Sequence, residues 1–186
     1  MITYIPEHRM LPPKTVEVDT AWKEVAPVVE SILDQFNVER DNMLEFGVDY
    51  GYSTVIFSNF FKHVVGVDHF LGDGYAGFRN EKMYSRVMDI LSPFQNISLV
   101  PMDYQEFIRD CDADFDFIHV DIVHTYAETF ECGDWAVQHA PVVMFHDTIA
   151  FHAVMMAVEE LSAKWDMLFY HVPEQHGIGI LARKER

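Results

Sequence analysis

Two glycines and two acidic residues lie close together in the segment EFGVDYGYS, residues 45–53. The segment follows a short apolar run and precedes an amphipathic stretch, the context in which a glycine-rich turn binds a nucleotide-like ligand. Gly47 and Gly51 would allow a tight turn and a close approach of the ligand to the backbone. Their G-x-x-x-G spacing differs from the G-x-G-x-x-G of dinucleotide-binding turns, which offer bare helix N–H groups to a pyrophosphate. Glu45 and Asp49 instead place carboxylates beside the turn, which suits a ligand with an ammonium and a sulfonium group.

Two further carboxylates follow the next two apolar runs. Asp68 ends the run at 64–67, where an acidic residue commonly binds the hydroxyls of a ribose. Asp103 follows the run at 97–100, where it could hold an adenine amino group. Each feature also has an ordinary structural explanation, because glycine after a strand often only forms a turn and aspartate there often only caps a helix. Carboxylates at three successive strand ends together predict a site for a positively charged nucleoside.

A second group of polar residues follows the next two apolar runs. Asp121 and His124 come after the run FDFIHV, and His146 and Asp147 come after the run VVMF. Because the carboxyl ends of neighbouring parallel strands meet at one edge of a sheet, we expect these four side chains to converge. Two carboxylates with an imidazole suit a divalent cation, and oxygen ligands favour Mg²⁺ or Mn²⁺ over zinc. The alternative is that Asp121 and Asp147 only cap the following helices, with His146 a hydrogen-bonded core histidine.

A divalent cation bound among these side chains would chelate a substrate hydroxyl, lower its pKa and orient its oxygen for in-line attack. His124 could then accept the hydroxyl proton, because the ordinary pKa of histidine is about 6.5. His124 and Asp121 are therefore the candidate catalytic residues.

Short apolar runs and amphipathic stretches alternate along the chain, which predicts a mainly parallel sheet covered by helices on both faces. The expected strands are 43–46, 64–67, 97–100, 115–120 and 142–145, and the expected helices lie near 52–61, 80–92, 104–110, 125–138 and 148–164. Two more apolar runs, 167–172 and 178–182, predict a hairpin at one edge of the sheet. Residues 1–41 are predicted to form an N-terminal arm and a first helix, and residues 42–186 the ligand-binding domain. The glycine-rich loop at 70–79 is either a lid over the ligand or a surface loop.

The charge of the chain limits its partners. Thirteen basic and 30 acidic residues give 186 residues a formal net charge of −17. Such a surface repels a phosphate backbone, so we expect no nucleic-acid partner; the excess charge could also serve only to keep the protein soluble. No apolar run reaches the roughly 18 residues of a membrane span. With two cysteines and no secretion signal, a cytoplasmic location and no membrane contact are expected, and the N-terminal arm leaves room for a homo-oligomer.

From about Asn42 onward the chain resembles the class I S-adenosylmethionine (SAM)-dependent methyltransferases, and within them the small-molecule O-methyltransferases. The matching motifs are the glycine turn, a D-x-x-H segment after strand 4 and H-D-T after strand 5. The resemblance implies a Rossmann-like three-layer α/β sandwich with a mostly parallel seven-stranded sheet, order 3-2-1-4-5-7-6, and strand 7 antiparallel. It also implies SAM as the cofactor and a small-molecule acceptor, methylated at oxygen. The implied cofactor-binding residues are Glu45, Gly47, Asp49, Gly51, Ser53, Asp68, Asp103 and Asp121.

The resemblance also bears on the metal. Related catechol-type enzymes carry metal-binding acids at strand ends 4 and 5, which implies Asp121 and Asp147 as ligands of Mg²⁺ or Mn²⁺, with His146 beside them. The chain departs from its relatives in having D-I-V-H where they have D-G-D-H, and Asp147-Thr148 where catechol-type enzymes have Asp-Asn. Two alternatives therefore stay open. One is a catalytically altered SAM- or metal-binding module of the same fold, and the other is a metal-dependent hydrolase or hydroxylase.

Overall fold

An eight-stranded sheet forms the centre of the molecule in the computed structural model, which describes residues 1–74 and 77–184. The strands are β1 Ile2–Thr3, β2 Asn42–Phe46, β3 His63–Asp68, β4 Gly72–Asp73, β5 Gly77–Phe78, β6 Ile97–Pro101, β7 Phe117–Val120, β8 Val142–Phe145, β9 Leu168–Val172 and β10 Ile178–Ala182. The helices are a 3₁₀ helix Ala21–Glu24, α1 Ala26–Gln35, α2 Tyr52–Phe57, α3 Met83–Leu91, α4 Tyr104–Asp110, α5 Tyr126–His139 and α6 His152–Lys164. β4 and β5 form a separate two-stranded sheet.

The strand order is β6-β3-β2-β7-β8-β10-β9-β1. β10 runs antiparallel to both β8 and β9, whereas the strands from β6 to β8 are parallel. Without β1 this is the predicted order with its antiparallel seventh strand, so the predicted α/β class is confirmed. The count differs, because Ile2 and Thr3 add an eighth strand that pairs in parallel with β9.

The sheet is buried on both faces, and successive residues of one strand enter different cores. In β8, Val142 and Met144 pack in the core that contains α1 and α2, whereas Val143 and Phe145 pack in the core that contains α5 and α6. Strands covered on both faces contain nearly continuous apolar runs, which explains why their positions can be found in the sequence. The three layers hold the carboxyl ends of the parallel strands at one edge.

Two predicted helices begin later than their periodicity indicates. The first helix, predicted within residues 1–41, starts as a 3₁₀ turn in which Thr20 accepts from the backbone N–H of Trp22 at 3.2 Å, and α1 follows with a proline in its first turn. The helix expected from 148 begins at His152. The residues before it are hydrogen-bonded to the turn between β9 and β10. In that turn the His176 carbonyl accepts from the backbone N–H groups of Ile149 and Ala150 at 2.9 and 3.0 Å.

The loop at 70–79 contains β4 and β5, which pair with each other rather than with the main sheet. Tyr75 and Ala76, in the middle of the predicted lid, lie outside the described residues. None of the helices in the described part of the chain is both long and apolar enough to cross a membrane.

Candidate active site

A crevice opens at the carboxyl ends of the parallel strands, where β2 has β3 on one side and β7 on the other. This is the point at which the strand order reverses, the usual ligand position in an open α/β sheet. Most of the predicted cofactor-binding residues line it. They are Gly47, Asp49, Ser53, Asp68, Asp103 and Asp121.

Gly47 brings the end of β2 against the end of β7. Its φ is +89°, and a Cβ atom there would stand 1.8 Å from the carbonyl oxygen of Asp121, so no other residue fits. Gly51, with φ +81°, precedes the first residue of α2 and does not line the crevice. The two predicted glycines thus shape the turn, and Gly47 lies at the crevice wall.

Asp68 fixes the glycine turn from the neighbouring strand. Its Oδ2 accepts from the backbone N–H groups of Val48 and Asp49, both at 2.9 Å, and its Oδ1 accepts from Phe70 N at 2.6 Å. A carboxylate can accept about four hydrogen bonds, so Asp68 retains capacity toward a ligand. Its predicted role at a ribose stays a prediction.

Asp49 and Asp103 each have a structural partner at the crevice. Asp49 accepts from the Arg79 guanidinium at 3.0 Å, and partial burial raises the pKa of Asp49 although Arg79 opposes that shift. Asp103 caps α4 by accepting from Gln105 N at 2.8 Å. The helix-capping explanation therefore applies to Asp103, whose predicted contact with adenine stays a prediction.

Glu45 does not reach the crevice. Its side chain is fully buried, accepts from the Thr54 hydroxyl at 2.5 Å and lies 3.1 Å from Nδ1 of His119, which is also fully buried. β2 is covered on both faces, so a side chain that points away from the ligand is enclosed in the core. Glu45 therefore joins β2 to Thr54 of α2 and His119 of β7 inside the core, and its predicted role at the cofactor stays a prediction.

Asp121, His124, His146 and Asp147 converge as expected. His124 Nε2 lies 2.8 Å from Asp147 Oδ2 and 3.6 Å from Asp121 Oδ1. His146 Nδ1 lies 3.5 Å from Asp121 Oδ2 and 3.4 Å from Asp147 Oδ2. Asp147 has a φ of +62°, a strained conformation that directs its carboxylate toward both imidazoles. Two acids and two histidines thus form one cluster at the ends of β7 and β8.

The cluster changes the ionisation of its members. Burial works to lower the pKa of His124, but Asp121 and Asp147 outweigh burial and raise this pKa to about 9. Burial likewise opposes, and the same carboxylates produce, a raised pKa at His146. The histidines in turn lower the pKa of both carboxyl groups below its ordinary value, although burial acts in the opposite direction. At neutral pH His124 therefore carries the proton that a general base must lack, contrary to the ionisation state we expected.

The set of donors that fits a cation differs from the expected one. Donor atoms of Asp121, His124 and Asp147 lie within 4.8 Å of one another. The predicted ligand His146 is 4% exposed and stands behind the carboxylates, and its Nε2 has no partner among the described residues. His124, predicted as a base, takes the place among the metal ligands that we had assigned to His146. The ring of His124 faces the crevice and stacks on the ring of Phe151, with 4.1 Å between the ring centroids.

Trp22 is a site residue that the sequence did not reveal. Its indole Nε1 donates to Asp121 Oδ2 at 3.0 Å, and its ring packs against His119 and His146. Thr20, which caps the 3₁₀ turn that contains Trp22, also lines the crevice. In the sequence Trp22 belongs to the apolar stripe of the first helix, and a buried tryptophan in such a stripe is typical of a core. The one signal in the sequence was general: a buried indole N–H needs a hydrogen-bond acceptor, which a purely apolar core does not supply.

Comparison with known proteins agrees with this geometry. A family model described as a methyltransferase domain matches residues 44–148, from β2 to the end of the H-D-T segment. A protein of Sinorhizobium fredii (strain NBRC 101917 / NGR234), named uncharacterized protein y4gI, is 30% identical over 183 residues. The alignment covers 91% of this chain and 20% of that protein, so the chain spans about a fifth of the relative's length.

Several solved structures have the same fold. The O-methyltransferase NovP superposes with a TM-score of 0.66 at 16% identity, over 82% of this chain and 75% of NovP. The SAM complex of the O-methyltransferase TomG from Streptomyces achromogenes gives 0.63 at 13% identity, over 91% and 92%. A precorrin-6y C5,15-methyltransferase from Geobacter metallireducens gives 0.63 at 15% identity, over 86% and 89%. At these identities the likeness concerns the fold alone.

Proposed function

The chain belongs to the methyltransferase-domain family, and on this premise we propose that it transfers the methyl group of SAM to an oxygen of a small-molecule acceptor. The observation that carries the proposal is the charge of the crevice. Asp49, Asp68, Asp103 and Asp121 line it, and Arg79 is the single lysine or arginine among its described lining residues. A cofactor with an ammonium and a sulfonium group is favoured by such a lining.

The crevice divides into a cofactor side and an acceptor side. We assign Gly47, Ser53 and Asp68, which line the crevice, to the cofactor side, because the family resemblance implies cofactor roles for them. Thr20, Trp22 and His124 line the crevice near the acid and histidine cluster, where an acceptor hydroxyl would lie. Holding the two reactants in line is the main contribution, and such positioning can contribute roughly 7–11 kcal/mol.

The transfer breaks the bond between sulfur and the methyl carbon and forms one between that carbon and the acceptor oxygen. Sulfur keeps the electron pair of the broken bond, and the acceptor loses its hydroxyl proton. That proton passes to the neutral imidazole of His124, because the lowered pKa values of Asp121 and Asp147 make these carboxylates the weaker bases. His124 can receive it only after losing its own proton, because its pKa is about 9. Asp121 and Asp147 are ionised and hold the imidazoles in place.

The cluster also fits a divalent cation. Asp121, Asp147 and His124 would hold it, since two carboxylates and an imidazole are ligands that Mg²⁺ or Mn²⁺ accepts and their donor atoms lie within 4.8 Å of one another. When bound, the cation would supply polarisation of the acceptor hydroxyl. Binding requires His124 to be deprotonated, so the cation and the proton compete for the imidazole.

Calorimetric titration of the full chain with SAM and its demethylated product tests the cofactor. Asp49→Asn removes one crevice charge and keeps a residue that tolerates the left-handed conformation of this position, φ +43°. We expect SAM to bind and Asp49→Asn to weaken it several-fold, whereas Asp112→Asn, in an exposed loop, leaves it unchanged. Absence of binding at millimolar cofactor would reject the proposal.

A cofactor- or metal-binding module without transferase activity is the second candidate, and the altered D-I-V-H segment favours it. A panel of catechols and phenols, assayed for release of the demethylated cofactor, separates the two. Turnover of any acceptor supports the enzyme. Tight SAM binding with no turnover across the panel, with and without Mn²⁺, supports the module.

A further inference from the structure

A second pocket beside the crevice has the opposite charge. It is formed by the loop before α3 and the first turns of that helix, and its basic residues are Arg79, Lys82 and Arg86. These are three of only 13 lysines and arginines in a chain of net charge −17. Tyr50, Arg79 and Met83 line both this basic pocket and the crevice, so the two spaces share a wall.

The charges of the basic pocket are only partly neutralised within the protein. Arg79 and Arg86 both lie over the ring of Tyr50, with guanidinium carbons 5.1 and 5.2 Å from its centroid. Arg79 is paired with Asp49. Among the described residues, neither Lys82 nor Arg86 has a carboxylate within ion-pair distance. Most other described cations are paired with an acid, namely Arg9, Arg40, Lys62, Arg109, Lys164 and Lys184.

The N-terminus of α3 adds to this positive potential. The helix has nine residues and begins at Met83, directly after Lys82. Asn80 accepts from Lys82 N through its side chain and from Met83 N through its carbonyl, and the first turn of the helix contains no acidic residue. A helix N-terminus carries the equivalent of about +0.5 charge, so here a helix end and three cationic side chains share one pocket.

The negative charge of the whole protein does not cancel this local field. Exposed charges are screened over roughly 8 Å at physiological ionic strength, so distant acids contribute little. Two nearby acids act on Arg79: against the effect of burial, Asp49, which is paired with it, and Asp73 raise the pKa of Arg79. Lys82 and Arg86 are exposed and line the pocket.

We propose that the basic pocket binds a phosphate or carboxylate group. Oxygens of the anion would accept hydrogen bonds from Arg79, Lys82 and Arg86, and charge-assisted bonds of this kind are the strongest that side chains make. The apolar part of the same ligand would lie on Met83 and on Phe78, whose ring is 83% exposed at the rim. An anionic substituent of the acceptor and a separate anionic effector share this chemistry.

Binding is tested on the full chain at constant ionic strength with inorganic phosphate, pyrophosphate and benzoate as probes. We expect saturable binding of at least one probe at one site per chain, at least tenfold weaker in Arg86→Gln and in Lys82→Gln. Lys184→Gln, remote and exposed, serves as the matched control. No saturable binding at tens of millimolar, or affinities unchanged in both pocket variants, would overturn the proposal.

SAM affinity and thermal stability, measured on the same samples, keep this result separate from the proposed function. A folded Arg86→Gln variant that binds SAM normally and has lost the anion supports the basic pocket. Wild-type protein that binds SAM and none of the anions refutes the pocket and leaves the proposed function intact.

Kinetic measurements with different acceptors distinguish an anionic group on the acceptor from a separate anionic effector. This experiment rests on the proposed function. If the acceptor supplies the group, Arg86→Gln raises KM for 3,4-dihydroxybenzoate at least tenfold and leaves KM for catechol unchanged. If a separate effector supplies it, both KM values stay unchanged, and pyrophosphate alters the rate of the wild type but not of Arg86→Gln. Equal effects of Arg86→Gln on both acceptors, with no pyrophosphate effect in the wild type, contradict the proposal.

Discussion

Replacement of Trp22 by phenylalanine isolates one hydrogen bond at the site. The indole N–H donates to Asp121 Oδ2 at 3.0 Å, and phenylalanine keeps an aromatic ring where Trp22 packs against Phe57 and His119. The variant therefore removes the donor and leaves most of the apolar contact. Asp121 keeps both histidines and stays ionised at neutral pH, because their charges lower its pKa. What the carboxylate loses is the bond that fixes its orientation toward the crevice.

The expected loss follows from the strength of that bond. A hydrogen bond to a charged group contributes about 1.5–3 kcal/mol net, which corresponds to roughly a 10- to 150-fold change. Because Asp121 lines the crevice in which we propose that the cofactor and the acceptor bind, we expect kcat/KM for methyl transfer to fall within this range. The smaller ring leaves a gap in the core, so the free energy of unfolding should also fall, by about 1–3 kcal/mol.

The assay is release of the demethylated cofactor with the best acceptor of the phenol panel, accompanied by thermal unfolding. Trp165→Phe is the matched control, because Trp165 Nε1 donates to Asp134 at 2.8 Å on the surface, far from the crevice. Trp165→Phe should leave kcat/KM unchanged. A folded Trp22→Phe variant with kcat/KM within twofold of the wild type would refute the positioning role of Trp22.

Three further predictions follow from the site. In a calorimetric titration, the affinity for Mn²⁺ should rise about tenfold per pH unit between pH 7 and 9. His124 is protonated below its pKa of about 9, and only the neutral imidazole binds a metal. His124→Asn should therefore abolish this dependence on pH. Glu45→Gln should lower the free energy of unfolding by about 1–3 kcal/mol and change SAM affinity less than threefold, because Glu45 is buried away from the crevice; lost SAM binding in the folded variant would support its predicted role. Gly47→Ala should lower the free energy of unfolding, measured with denaturant, by more than ~3 kcal/mol. Gly74→Ala, where a Cβ atom meets nothing within 4 Å, should change it by no more than ~0.5 kcal/mol. Equal effects of the two substitutions would contradict the close approach of Gly47 to Asp121.

Much of the fold could be predicted because its strands are buried on both faces. Such strands contain continuous apolar runs, and the final antiparallel hairpin breaks the alternation visibly. The predicted class I SAM-dependent methyltransferase family is confirmed by the domain match over residues 44–148. β1 could not be found, since Ile2 and Thr3 form a two-residue strand whose partner β9 is distant in sequence. Pairing of this kind depends on where the sheet edge lies and leaves no local pattern.

The candidate site was predictable in its positions more than in its ionisation. Motif spacing placed Asp121, His124 and Asp147 at neighbouring strand ends, because parallel strands align their carboxyl ends. Spacing does not give the distances of 3.6 and 2.8 Å that separate His124 Nε2 from Asp121 and Asp147. Against the effect of burial, these two carboxylates raise the pKa of His124 to about 9, so the imidazole is a cation at neutral pH. The sequence could not show which way the Glu45 side chain points, because both faces of a buried strand are covered by other parts of the protein.

The histidines explain how so many carboxylates coexist at one edge of the sheet. Asp121 and Asp147 would repel each other if both were ionised without compensation, and the raised pKa values of His124 and His146 show that protons on the imidazoles supply that compensation. Any cation that enters the cluster must therefore replace a proton or add to a charge that is already balanced. In the proposed function the ammonium and sulfonium groups of the cofactor would instead face Asp49, which lines the crevice outside the cluster. Cofactor binding should accordingly depend little on pH between 7 and 9, in contrast to metal binding, because His124, whose pKa is about 9, belongs to the cluster at β7 and β8.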